Sequence, residues 1–333
     1  MKLVHTISGK SELKPNYFAI GADSKNLISN AHSLASGEEQ YETVKFWDLV
    51  TGKLVKTVDF RHDCVSVSAY EKLLLGSVYN ADVILRLNLG TDEFDIIVDA
   101  APRRLPEHKS NVTPLTASLY EPIVACGAQL GKEIAVYNLL AEPISTDGYG
   151  ATRLPAQKFS SENSSSNSSV IISPDSKVLL SQTLNRGFHH LWDISTGELI
   201  RTFSSSSIGL AEYLSISHTG QLLACGWFPE QIRVWDVYTG ETICSLDGNL
   251  PATMSIDGKL LAYCNCEMKI VLWDVKNNQE LCTSSESSAK IERIALSPDG
   301  KWLASYNQDQ NIEIWSVSGM TAIITIPGWC VTL

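Results

Sequence analysis

No segment of the chain reaches the roughly 18 consecutive apolar residues that a membrane-spanning helix requires. The opening Met1-Lys2-Leu3-Val4-His5 also lacks the apolar run of a signal peptide, so the expectation is a soluble, cytoplasmic protein. Positive charge is in deficit, with 26 Lys and Arg against 37 Asp and Glu and a net charge of −11. A nucleic-acid binder carries a basic footprint, and a field of this sign repels polyanions and anionic membranes. Neither nucleic acid nor a membrane is therefore expected as a partner.

Catalytic and metal-binding patterns are also missing. There is no Gly-x-Ser-x-Gly elbow, no phosphate-cradling glycine loop and no His-Glu-x-x-His. His189 and His190 are adjacent in a strand pattern, so they point to opposite faces and are poorly placed to share one ion. The cysteines lie mostly within apolar runs such as Val124-Ala125-Cys126 and Leu223-Ala224-Cys225, where they act as small hydrophobes. Cys264-Asn265-Cys266 is the one close pair, and no matching pair follows at zinc-site spacing. No metal, cofactor or catalytic residue is expected.

What the chain has is repetition. Phe46-Trp47-Asp48-Leu49 returns as Leu191-Trp192-Asp193-Ile194, Val234-Trp235-Asp236-Val237 and Leu272-Trp273-Asp274-Val275, with a weaker copy at Ile314-Trp315-Ser316-Val317. Thr-Gly or Asn-Asn follows each Trp-Asp copy, and Ser-Gly follows the weaker one. A period of about 40 residues marks a repeat architecture whose units bury their apolar faces only against neighbours. Ser297-Pro298-Asp299-Gly300 supplies turn chemistry between an alternating strand, Ile291 to Leu296, and the apolar Trp302 to Ser305. The same slot holds Ser173 to Ser176, Ser217 to Gly220 and Ser255 to Gly258, and it degenerates to Gly21 to Ser24. Two further units lose the Trp-Asp ending and close on Val83 to Asn88 and on Glu133 to Asn138.

The Trp slot falls at positions 47, 87, 137, 192, 235, 273 and 315. Seven such third strands predict seven four-stranded antiparallel blades, a number within the range that closes a ring. The longer intervals contain insertions at 141–156, 160–169 and 32–41, all read as surface loops without a domain boundary. Leu3 to Ile7 resembles a fourth strand, and so does 321–326. The reading favours 312–326 as the inner hairpin of the last blade, with 3–7 outside it.

These motifs resemble the WD-repeat β-propeller family over almost the whole chain. The resemblance implies an all-β, seven-bladed propeller of four-stranded blades, closed where the N- and C-terminal segments meet, with residues 1–333 as one domain. Trp47, Asp48, Trp192, Asp193, Trp235, Asp236, Trp273, Asp274 and Trp315 form its repeat signature. The family's Gly-His pair is absent, and its Asp ahead of the Trp survives only as Asp309, with Glu267 in the equivalent slot of blade six. The repeated Trp residues are thus expected to be packing groups with weak polar locking.

The family works as a platform for protein partners, so a non-catalytic scaffold binding a protein or peptide through its loop face is the leading expectation. Candidate anchors are Trp227 and Phe228, Arg186 and Phe188, Tyr79, Tyr306, and Arg103 with Arg104. Aromatic residues and Arg are what interface hot spots favour. A plainer reading has Trp227 and Phe228 covering seams between blades and the arginines solvated. The alternative function is a propeller enzyme, a hydrolase or lyase with acids converging in the channel.

Overall fold

The computed structural model describes residues 2–8, 18–21, 23–33, 41–60, 64–68, 73–77, 83–88, 94–98, 115–118, 121–127, 133–141, 145–147, 150–152, 156–160, 167–183, 188–204, 211–227, 231–284 and 289–317. Strands are the only regular elements among them. The first unit of sequence supplies β1 (Lys2–Ser8), β2 (Phe18–Ile20), β3 (Asn26–Ser33), β4 (Tyr41–Asp48) and β5 (Leu54–Phe60). Next come β6 (Cys64–Ser68), β7 (Leu73–Ser77), β8 (Val83–Asn88), β9 (Phe94–Val98), β10 (Leu115–Ala117), β11 (Ile123–Gly127) and β12 (Glu133–Asn138). They are followed by β13 (Ser145–Asp147), β14 (Gly150–Thr152), β15 (Gln157–Ser160), β16 (Asn167–Ile172), β17 (Val178–Thr183), β18 (Phe188–Asp193) and β19 (Leu199–Ser204). Then come β20 (Ala211–Ile216), β21 (Leu222–Trp227), β22 (Gln231–Asp236), β23 (Thr242–Asp247), β24 (Asn249–Met254), β25 (Leu260–Cys264) and β26 (Ile270–Asp274). The series ends with β27 (Gln279–Thr283), β28 (Ile291–Leu296), β29 (Trp302–Asn307) and β30 (Asn311–Ser316).

The chain divides into two compact units, Met1–Phe60 with Ala211–Leu333, and Arg61–Leu210. In the first unit β2 to β5, β20 to β23 and β24 to β27 form four-stranded antiparallel sheets, and β1 completes the sheet of β28, β29 and β30. In the second unit β10, β11, β12 and β15 form one such sheet and β16 to β19 another.

Composition explains the gradient of burial across a sheet. The second strands are runs of small and aliphatic residues, and β29 is buried along nearly its whole length. The fourth strands are polar and alternate or face solvent, as in β23, where only Cys244 and Leu246 are buried. Within each unit, neighbouring sheets interdigitate. Ile20, Leu27, Trp47 and Leu49 pack on Ala295, Ala304, Tyr306, Ile312 and Ile314. Ala262, Cys264, Ile270 and Leu272 meet Ile291, Ile294, Leu296, Leu303 and Trp315. In the other unit Ala125, Ile134, Val136 and Phe159 meet Val170, Ile172, Leu179 and Trp192.

Two expectations are corrected. Among the described residues there are six four-stranded antiparallel blades, not seven, because the residues read as the second blade lie in a six-stranded sheet ordered β13-β14-β9-β8-β7-β6. The insertion at 141–156, read as a loop, folds as the hairpin β13–β14, and β14 runs parallel to β9, pairing Ala151 with Ile97 and Thr152 with Val98. An outer strand offers unpaired backbone groups that a nearby extended segment can satisfy, which is the physical reason for the larger sheet. The closure is corrected as well. β1 pairs directly with β30, from Lys2 opposite Ser316 to Ser8 opposite Asn311, and so takes the place assigned to 321–326, which lies outside the described residues. This pairing lies within one unit, and closure of a ring by the two termini does not follow from it.

Candidate partner-binding ends of the sheets

In a four-stranded antiparallel sheet the first and last turns lie at one end and the second-to-third connection at the other. The first end is fixed by the repeated motif. In the first turn Ser255 Oγ donates to Asp257 Oδ1 at 2.7 Å and accepts from the Leu260 amide at 2.9 Å, while Asp257 Oδ1 accepts from the Lys259 amide at 3.1 Å. Ser297 with Asp299 and Ser173 with Asp175 repeat this arrangement. Burial, the largest single influence, raises the Asp257 and Asp299 carboxyls, but the hydrogen bonds from Ser255 and Ser297 together with the amide and ammonium of Lys259 and Lys301 outweigh it and leave both below the ordinary aspartate range. Lys177, Lys259 and Lys301 lie against these carboxylates at 3.5, 3.0 and 3.2 Å. Their exposed ammonium groups add little to stability.

In the last turn the aspartate after Trp acts as a cap. Asp48 Oδ1 accepts from the Val50 and Thr51 amides at 3.0 and 2.7 Å, and Asp236 Oδ1 from those of Tyr238 and Thr239 at 2.9 Å each. Asp193 and Asp274 do the same for their turns, and Asn138 provides a neutral copy. The Ser195 hydroxyl bond lowers the Asp193 carboxyl, the Thr239 amide lowers Asp236, and the Asn277 amide lowers Asp274. The next residue closes the end: the amides of Leu49, Val237, Val275 and Val317 bond the carbonyls of Lys25, Gln221, Lys259 and Lys301. Ile194 and Leu139 do so in the second unit. The residue after that points outward, and Val50, Leu140 and Tyr238 there are 64%, 58% and 46% exposed.

The repeated Trp residues are locked by more than packing. Trp47, Trp192 and Trp315 donate from Nε1 to Ser29, Ser181 and Ser305 at 3.2, 3.0 and 3.1 Å. Each serine lies two residues beyond the leucine opposite the Trp: Leu27, Leu179 or Leu303. At the same place opposite Trp273 stands Tyr263, and the Trp273 Nε1 is buried without a hydrogen-bond partner. The expected weak polar locking is thus corrected for these three sheets. A Leu-x-Ser pattern on the second strand was the signal that reveals it.

The other end is described in part. Asn265 Oδ1 accepts from the Glu267 and Lys269 amides at 3.0 Å each, and Met268 takes φ 61°. Asn307 Oδ1 accepts from the Asn311 amide at 3.0 Å, with Gln310 at φ 63°. Glu267 pairs with Lys269 at 2.7 Å on the surface, and Asp309 sits in the turn before β30.

Of the anchors expected from the sequence, Tyr306 is in β29, buried at 4% exposure in the cluster with Trp47, rather than in a loop. Trp227 is the last residue of β21 and Phe188 the first of β18. Tyr79, Arg103, Arg104, Arg186 and Phe228 lie outside the described residues.

The chemistry on offer is subdued. Cys264 is buried and its thiol is pushed up to about 12 by loss of water, so it is not a thiolate nucleophile at neutral pH. His189 is buried with its Nε2 unpartnered, and burial, with His190 adding to it, pushes its pKa down to about 4. His190 Nδ1 lies 3.0 Å from Thr202 Oγ1. Among the described residues no group of three or more His, Cys, Asp or Glu is placed to hold a metal ion.

No family model matches the chain. Over 120 residues it is 24% identical to the periodic tryptophan protein 2 homolog of Schizosaccharomyces pombe, covering 34% of this chain and 14% of that protein. The chain thus matches about one seventh of the length of that relative, whose name carries the feature most repeated here.

Proposed function

We propose that the chain is a non-catalytic scaffold, a WD-repeat array of blades acting in the cytoplasm, that binds a protein or peptide partner through the connections at the ends of its sheets. One observation carries this reading. The repeated acids and hydroxyls are spent on their own turns: Asp48, Asp193, Asp236, Asp257, Asp274 and Asp299 each accept amide bonds from the next few residues. An acid that closes its own turn is poorly placed to act as a general acid or base. The similarity to a protein named for its periodic tryptophan supports the same reading. Trp227 and Phe228, at the end of β21 and just beyond it, are the anchors proposed to meet the partner, with Arg186 and Phe188 at the corresponding place of β18.

Affinity capture with the intact chain and with the Trp227→Ala, Phe228→Ala double variant tests this. Both must give the same far-UV circular dichroism. Loss of one or more specific partners from the double variant is expected, and identical partner sets would refute the assignment of these anchors.

A further inference from the structure

The outer strands β1, β5, β15, β19, β23 and β27 are edges of their sheets, whereas β9 is followed by β14 and then β13. The covered strand has an unusual sequence. Phe94-Asp95-Ile96-Ile97-Val98 carries three successive β-branched aliphatic residues, a run that none of the other outer strands has; β1, β5, β15 and β19 each contain Lys or Arg, and β23 and β27 lack a base but carry no such run. Basic residues are a common protection for a bare edge, and β-branched runs of low charge are what pair edge to edge. The cover itself is slight: Ala151 and Thr152 pair with Ile97 and Val98, and the parallel register leaves Phe94 and Asp95 opposite no residue of β14. The covering strands are poor strand formers in sequence, Ser145-Thr146-Asp147 and Gly150-Ala151-Thr152. They hold an extended form here through each other and through β9.

We propose that the β13–β14 hairpin is an edge guard: it occupies the hydrogen-bonding edge of β9 in cis and so prevents β9 from pairing with β9 of a second copy of this chain. The parallel contact of two residues is the minimum that blocks an edge. An antiparallel pair of β9 strands would engage the whole strand and satisfy more backbone groups. The guard holds whichever partner the turns of the sheets take.

The test uses the full chain with residues 145–152 replaced by a Gly-Ser sequence of equal length. A milder variant, Ala151→Pro, removes an amide from β14 and leaves the hairpin sequence otherwise intact. Size-exclusion chromatography with light scattering over a concentration series reads the mass, and thermal unfolding verifies the fold. Both variants should dimerise at least about tenfold more tightly than the intact chain. Adding Ile97→Lys, a charge on the pairing edge, should return them to the intact behaviour. Folded variants that associate no more than the intact chain overturn the proposal. So does association that Ile97→Lys leaves unchanged, which would mean that another surface is responsible.

Discussion

Acidifying the protein should weaken it well above the range in which its aspartates titrate, and His189 is the reason. The imidazole is 2% exposed, and its pKa falls from 6.5 to about 4 because burial disfavours the charged ring, with His190 beside it adding to the effect. In the unfolded chain the same group protonates near its ordinary value. Between the two values the unfolded state binds more protons than the folded one, so stability falls as pH falls. The loss begins near the unfolded value of 6.5 and is complete below about 4. The separation corresponds to about 3 kcal/mol, a large share of a domain's net stability. Asp193, Asp236 and Asp274 are lowered from 3.8 and act in a lower window, where their own contribution is lost. Urea unfolding of the intact chain and of His189→Phe at several pH values across this range gives the two profiles. The variant should be flatter by about 3 kcal/mol, keeping above the carboxylate range only the dependence contributed by His190, which burial also lowers. Profiles of equal slope would show that the imidazole is solvated in the folded protein, and the reasoning from its burial would fail.

Three other outcomes follow from the repeated motif. Ser305→Ala leaves the buried Trp315 Nε1 without its acceptor and should cost about 1–3 kcal/mol in denaturant unfolding; a Trp315→Phe, Ser305→Ala cycle should show coupling between the two, and additivity would count against the bond. Gly258→Ala places a Cβ 3.0 Å from Leu222 Cδ1 on a backbone at φ +71° and should destabilise by about 1–2 kcal/mol, read as a drop in melting temperature. Asp48→Ala removes the acceptor of two turn amides and should cost about 1 kcal/mol, while Asp48→Asn, which keeps an oxygen there as Asn138 does, should recover most of it.

The Trp-Asp and Ser-Pro-Asp-Gly turns were legible because their chemistry is local. Ser, Asp and Gly two to four residues apart close a turn by themselves, and the structure places each where its spacing implied. The insertion at 141–156 was also located correctly, between the third and fourth strands of its sheet, but its conformation was not foreseen. Ser-Thr-Asp and Gly-Ala-Thr carry no strand pattern, and their partner β9 is about 50 residues away. The same limit applies in part to β1: its place in the sheet of the last unit was legible, but that it pairs directly with β30, without 321–326 between them, was not. Tyr306 was placed in a loop because the following Asn-Gln-Asp-Gln reads as a connection, yet β29 continues to Asn307. The Trp–Ser bonds lie outside the family's Gly-His and Asp pattern. The serine on the facing strand needed the register, and the register was not known until Leu27, Leu179 and Leu303 were placed opposite their Trp residues.

The turn after the third strand, where a short turn leads to the fourth, divides its labour unevenly among its residues. Trp, Asp, the buried aliphatic and the residue with positive φ are all committed to geometry, and the residue two after the Asp or Asn faces outward: Val50, Leu140, Tyr238 or Lys276. That site can exchange an aliphatic for a phenol or an ammonium without disturbing the frame beneath it. Natural variation, or a combinatorial library, could therefore rewrite the chemistry of these turns one letter per blade while the folding code stays constant.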